Sequence, residues 1–358
     1  MLIGADGSHL RWRRTGVARY LDGMLHALAD DLGDDELVVY YNSVKGPPLF
    51  GENVNERFVR LPTATAWNQI RLPVAIARDR CDVYLGGALV VPAVAKAPRV
   101  VVIHDCMPFR FPESKSRRSG AYLRRWMKSS ARRSALVVTD STWAAQECQE
   151  FLGVGPDRIR VIPAAADPSF APAAEGSTVV DEMRTRFGLV GPYVLQVGAF
   201  ELHKGGGTAV DAVEMLRRRG HDVTLVRCGI AGGDESRPGR RDLGYVDDAD
   251  LRALYQGAAV VCVSSTHEGF GLPVLEAMAS GVPVVAARAS ALPEVGGDVA
   301  LYAEPGDADG FANAIERLLV DCHETASRRQ LGVARAATFT WARTASQMHD
   351  VLAEVAAR

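Results

Sequence analysis

Along nearly its whole length the chain alternates short apolar, β-branched runs with longer stretches whose apolar positions recur every three to four residues. The runs predict strands near 2–5, 37–41, 83–85, 99–103, 136–139 and 159–162, and again near 193–197, 223–228, 242–245, 259–263, 283–286 and 300–302. Strands separated by helices pair in parallel, so two such series predict an α/β fold of two Rossmann-like domains. Residues 163–177, rich in Ala, Pro and small side chains, read as the linker. The last helices are expected at 308–320, 323–337 and 342–357. A cleft between the domains is the expected binding place.

One stretch, 258–287, concentrates the chemistry. Val260–Val263 reads as a buried parallel strand, Ser264–Gly271 as a loop, and Pro273 as the first turn of a helix that Gly281 ends before the next strand. Glu268 then sits on the loop at the strand's carboxyl end, and Glu276 in the first turns of the helix. Open α/β sheets bind ligands at that edge, and a helix N-terminus favours an anion. Two carboxylates beside such a site suit a hydroxyl-rich ligand, since each accepts several O–H hydrogen bonds. Read alone, the pair is also what an ordinary glycine-rich turn with one solvated and one dipole-favoured Glu presents.

Composition narrows the classes. At 358 residues, with 47% hydrophobic and 23% charged, the chain is sized for two globular cores. A net charge of −2 gives no reason to expect nucleic acid as a partner. Six scattered cysteines without a C-x-x-C pair point to buried free thiols in a reducing compartment. No signal peptide and no bilayer-length apolar run are visible, so a cytoplasmic location is expected, either free or at the inner membrane face. The segment 114–133 holds eight basic residues and no acid, with Tyr122, Leu123, Trp126 and Met127 at helical spacing. Such a face suits anionic lipid or an anionic acceptor; a core stripe edged by solvated arginines is the plainer account. Arg11-Trp12-Arg13-Arg14 adds basic residues on the loop before Gly16.

The string Glu268-Gly-Phe-Gly-Leu-Pro-x-x-Glu276-Ala-Met-Ala-x-Gly-x-Pro-Val-Val resembles the donor-site signature of the retaining GT-B glycosyltransferases of family 4. Val194-Leu-Gln-Val-Gly198-Ala-Phe-Glu-Leu-His-Lys204-Gly is a second match. Thr15-Gly16-Val17-Ala18-Arg19-Tyr20 is similar to the first βα loop of the family's mannosyltransferase-type members, and His104-Asp105-x-x-Pro108 to its element near the donor sugar. The resemblance implies a GT-B architecture whose final helix returns to the first domain, with Trp341 at the crossing. It implies an N-terminal acceptor-binding domain over 1–170 plus about 341–358, and a C-terminal donor-binding domain over 171–340.

By the same resemblance, a hexosyl group would move with retention from a nucleoside-diphosphate sugar, of GDP-mannose type by the lean of the first loop, to a hydroxyl of a glycan, lipid-linked or small-molecule acceptor. Glu276 would hold the ribose and Glu268 the sugar. The amides of Phe270, Gly271 and Leu272 would touch sugar and β-phosphate, Lys204 and Gly16 would hold the diphosphate, and Gly198 would also belong to the donor site. The Tyr245 and Val246 backbones would read the base, and His104 would stand by the anomeric carbon. Family members usually pair the lysine with an arginine; here those positions are Ala199 and His203. No cofactor or metal is expected. Asp248-Ala-Asp250 and Asp307-Ala-Asp309 spell a metal-binding D-x-D, but each precedes a helix and reads better as a cap. Two other readings stay open, a non-catalytic nucleotide-sugar-binding protein and a GT-B epimerase.

Overall fold

The computed structural model describes residues 1–11, 15–114, 116–198, 202–229 and 235–358, and the chain divides into two units, Met1–Ala165 with Thr340–Arg358, and Ala166–Phe339. The first holds strands β1 (Leu2–Asp6), β2 (Glu36–Tyr41), β3 (Val54–Phe58), β4 (Val83–Gly86), β5 (Arg99–Val102), β6 (Leu136–Thr139) and β7 (Ile159–Val161). They form one sheet in the order β3-β2-β1-β4-β5-β6-β7, every pair parallel. Because helices cover both faces of such a sheet, its central strands are apolar throughout: Val100, Val101, Val102, Leu136, Val137 and Val138 are fully buried.

The second unit holds β8 (Tyr193–Gly198), β9 (Thr224–Gly229), β10 (Glu235–Arg237), β11 (Arg240–Asp242), β12 (Val260–Val263), β13 (Val284–Ala287) and β14 (Leu301–Ala303). Their order is β10-β11-β9-β8-β12-β13-β14, with only the β10–β11 pair antiparallel.

Three elements depart from the hydrophobic reading. β3 (VNERF) and β10 (ESR) were not foreseen, and β11 lies at 240–242 rather than 242–245. All are polar strands at or next to a sheet edge, where charge protects an open ladder and removes the apolar signal. The Leu243 N–H makes a last bond to the Arg227 carbonyl (2.8 Å), and Leu243–Asp247 then form a loop.

No helix or strand lies between Val161 and Val179, and the chain passes from one unit to the other after Ala165. Part of this Pro-rich segment is packed: Phe170 is buried and meets the Tyr255 ring edge-on at 5.5 Å. The final helix, Trp341–Ala356, belongs to the first unit and lies against the helix Gly16–Asp30. Its entry is specific. Trp341 sits edge-on to Tyr20 at 5.9 Å and covers Gly23, where a methyl group would lie 2.2 Å from the indole. Thr344 adds a 2.7 Å bond to the Pro163 carbonyl. Among the described residues no helix is long and apolar enough to cross a membrane, and of the six free cysteines only Cys322 is exposed.

Candidate functional site

In the second sheet the strand order reverses between β8 and β12, the place where an open α/β sheet leaves a crevice at its carboxyl edge. The loop after β8 carries Lys204 and the loop after β12 carries Glu268, so parallel pairing alone brings these two neighbourhoods together. Hydrogen bonds then join them. The Thr266 N–H and hydroxyl both donate to the His203 carbonyl (2.8 and 3.1 Å), and the Ser264 hydroxyl donates to the Gly205 carbonyl (2.7 Å). Gln196 on β8 donates to the same Ser264 oxygen at 3.1 Å. Gly205 has φ +62°, and a Cβ there would stand 2.0 Å from the Ser264 carbonyl oxygen, so only glycine lets the loops approach this closely.

The approach places the Lys204 ammonium 2.8 Å from Glu268 Oε2. Burial alone would raise the Glu268 pKa, but the charge and hydrogen bond of Lys204, with help from Ser265 and His203, outweigh it and hold the carboxyl below its ordinary 4.5. By linkage this pair contributes stability above the unfolded carboxyl range and loses it as pH falls through the lowered value. The Glu268 N–H donates to Ser290 Oγ (2.9 Å), which ties the loop to the segment after β13.

Glu276 lies on the helix Leu272–Ala279, 3% exposed, and accepts the Tyr255 hydroxyl at 2.8 Å. The two carboxylates expected to hold the sugar and the ribose are thus each engaged by a side chain of the protein. Phe270 is buried edge-on to Phe339 at 6.0 Å, and Gly271 and Leu272 lead into the Glu276 helix. Gly198 ends β8 opposite Gly229 of β9, while Tyr245 lies 59% exposed with Val246 partly exposed beside it. Ala199, one of the two positions where an arginine was sought, lies outside the described residues; His203, the other, is buried at 6%. Another cation approaches from β9: a methyl on Gly206 would lie 3.5 Å from the Arg227 guanidinium, which Asp242 grips with two 2.6 Å bonds. Of the D-x-D look-alikes, Asp307 caps its helix by accepting from the Gly310 N–H, and the neighbouring Asp247, not Asp248, caps the other.

In the first unit, Gly16 opens the helix that Thr15 caps, with residues 12–14 outside the described set. Arg11 is no free cation for an acceptor: it lies over Tyr41 and Phe58 at 4.8 and 5.0 Å and donates to the Pro47 carbonyl at 2.6 Å. His104 follows β5. The register Val102↔Val138 puts it level with Asp140 at the end of β6, and its Nδ1 meets Asp140 Oδ2 at 2.5 Å. Tyr20 closes against the imidazole edge-on at 4.8 Å.

Burial lowers the His104 pKa, but Asp140, followed by Asp105 and the Gly87 backbone, prevails and leaves it above the ordinary 6.5. Nε2 is buried without a well-formed hydrogen bond among the described residues, as is the Tyr20 hydroxyl. Sequence reasoning gave no site role to Asp140, Tyr20 or Tyr255. Asp140 was detectable, because aligning the parallel β5 and β6 runs sets it beside His104; Tyr20 was seen as the end of the first-loop motif, but nothing in that motif pointed to His104, and Tyr255 carried no comparable signal.

Residues 14–170 match the family described as Glycosyltransferase Family 4, and residues 191–321 match Glycosyl transferases group 1. The chain is 30% identical over 265 residues to the O-antigen chain mannosyltransferase B of Escherichia coli, across 69% of this chain and 68% of that one. It is 31% identical over 238 residues to the D-inositol 3-phosphate glycosyltransferase of Corynebacterium aurimucosum, across 61% and 56%. Anabaena Alr3699/HepE, solved in complex with UDP-glucose, shares the fold at a TM-score of 0.78 and 20% identity, across 99% of this chain and 100% of that one. Both halves of the chain are thus matched, and the switch-point loops of the second sheet sit inside the matched region: the chain belongs to glycosyltransferase family 4, group 1, and is a glycosyltransferase of the GT-B fold.

Proposed function

We propose that the enzyme transfers a hexosyl group, with retention, from a nucleoside-diphosphate sugar to an acceptor hydroxyl, and that the second unit holds the donor. The observation that carries this reading is the Lys204–Glu268 pair at the switch point of the second sheet. An ammonium has three N–H donors, so Lys204 can keep Glu268 and still meet a diphosphate oxygen. Glu268 keeps acceptor capacity for sugar hydroxyls, and Glu276, oriented by Tyr255, has the same capacity for ribose. The amides of residues 270–272 enter a helix and suit the β-phosphate. Gly198 leaves room for the phosphates, and the Tyr245 and Val246 backbones serve the base.

Charge leaves with the diphosphate, and Lys204 stabilises it there, so no metal ion is assigned a role. The departing phosphate oxygen takes the acceptor proton on the face it vacates, which preserves the anomeric configuration without a protein nucleophile. From the first unit we assign Gly16 to the phosphate and His104 to the sugar, its neutral ring acting through Nε2. A GDP-mannose-type donor is favoured by the likeness to a mannosyltransferase, and the acceptor is a glycan, a lipid-linked sugar or a small hydroxylated molecule.

Thermal melting in the presence of GDP, UDP or ADP tests the donor. The cognate nucleotide at a hundred times its Kd should add about 2.7 kcal/mol to the stability of the second unit. No shift with any of the three would overturn a nucleoside-diphosphate donor, and a shift with UDP alone would remove the GDP assignment.

The Asp140–His104 contact makes a separate prediction about pH. A carboxylate that raises the imidazole pKa must release it when replaced, so Asp140→Asn should move the acid limb of the kcat/KM profile to lower pH. The same contact stabilises the first unit below the ordinary histidine value and fades as pH rises through the raised one. An unchanged profile in Asp140→Asn would remove His104 from the reaction.

A further inference from the structure

The helix Arg117–Arg133 ends beside a pocket of about 610 Å³ on the first unit, lined by Arg125, Lys128, Arg132, Arg133 and Arg158, with Trp126 in the wall and no carboxylate. Arg125, Lys128 and Arg132 follow one another at three- and four-residue spacing, so a single helical stripe faces the pocket. All three are exposed, and none pairs with a carboxylate among the described residues. The helix dipole explains cations in the last turn, Arg132 and Arg133, but not Arg125 and Lys128 one to two turns earlier. Arg158 plays a different part: its guanidinium donates to the carbonyls of Ala131 and Ser134 (2.8 and 2.5 Å) and fixes the end of the helix. Burial lowers the Arg99 pKa, and the nearby charge of Arg133 lowers it further.

The location separates this pocket from His104. Arg132 and Arg133 precede β6 and Arg158 precedes β7, so they lie at the amino edge of the sheet, whereas His104 follows β5 at the carboxyl edge. In a chain of net charge −2, five cations around one concavity form a local anion trap. Arginine forks select phosphate over a diffuse negative surface, and a ring in the wall admits an apolar portion.

We propose that this pocket is a binding site for a phosphate-bearing anion, either a soluble diphosphate or the phosphodiester headgroup of an anionic phospholipid. Two measurements on the full chain test it. Inorganic pyrophosphate should change the tryptophan fluorescence, and Trp126→Phe should remove the change while leaving any response from the donor site. Vesicles of phosphatidylglycerol in phosphatidylcholine should sediment the protein, and pure phosphatidylcholine vesicles should not. Arg125→Gln/Arg132→Gln should weaken whichever response appears at least tenfold, with an unaltered melting temperature because both side chains are exposed. A pyrophosphate response alone identifies a soluble ligand, and vesicle binding alone a lipid headgroup. No response in either arm, or responses that survive the double substitution, would overturn the site.

Discussion

Lys204→Ala should lower kcat/KM for sugar transfer by about 10²–10³-fold, equivalent to some 2.7–4 kcal/mol of transition-state stabilisation. The ammonium is assigned to charge that grows as the diphosphate departs, so the loss should fall mainly on kcat. The substitution has a second effect on the same site. Lys204 is what holds the half-buried Glu268 carboxyl low, and its partial burial pushes it the other way, so removing the ammonium should raise the Glu268 pKa. Lys204→Ala/Glu268→Gln should therefore be less costly than the two single losses summed, because each single change strands its partner in a partly dry site. Initial rates of donor turnover across the four proteins, with folding checked by circular dichroism, give the comparison. A Lys204→Ala enzyme within threefold of the parent would remove the cluster from the chemistry.

Gly205→Ala should destabilise the second unit by roughly 2–5 kcal/mol, combining the penalty of a left-handed alanine with overpacking against a rigid neighbour. That neighbour is the Ser264 carbonyl, 2.0 Å from the added carbon, and backbone at the end of a buried strand has little room to retreat. If the unit survives, the loop must shift outwards, the bonds from Ser264 and Thr266 must lengthen, and Lys204 must part from Glu268. Transfer activity should then fall at temperatures where the protein is still folded. Urea unfolding combined with kinetics separates the two losses. A parent-like midpoint would show that the loops do not depend on this contact.

The halves of the fold were legible for a definite reason. Strands buried on both faces must be apolar along their whole length, and runs such as Val260–Val263 and Leu136–Thr139 announce themselves in any reading of hydrophobicity. β3 and β10 did not, since edge strands owe their place to hydrogen-bonded neighbours and not to burial. The candidate site divides similarly. Glu268, Lys204 and His104 were singled out because motif and strand end coincide, and Glu276 because the same motif runs on into the following helix. Their partners were not: Tyr255 reaches Glu276 from another helix, and Asp140 reaches His104 from another strand.

By itself, then, the sequence determined two parallel α/β sheets, the loops that carry the charged groups, and the resemblance that placed them in a glycosyltransferase family. The period of apolar residues and the glycine-rich turns are local properties, and local properties survive in a linear text. The tertiary structure alone decided which charges are already paired. Glu268 and Glu276, alike in one dimension, became an ion-paired carboxylate and a tyrosine-held one, while Arg11, in sequence one of several basic loop residues, lies over two rings. An ion pair or hydrogen bond acts over a few ångströms, and only strand order and register choose which distant residues come that close.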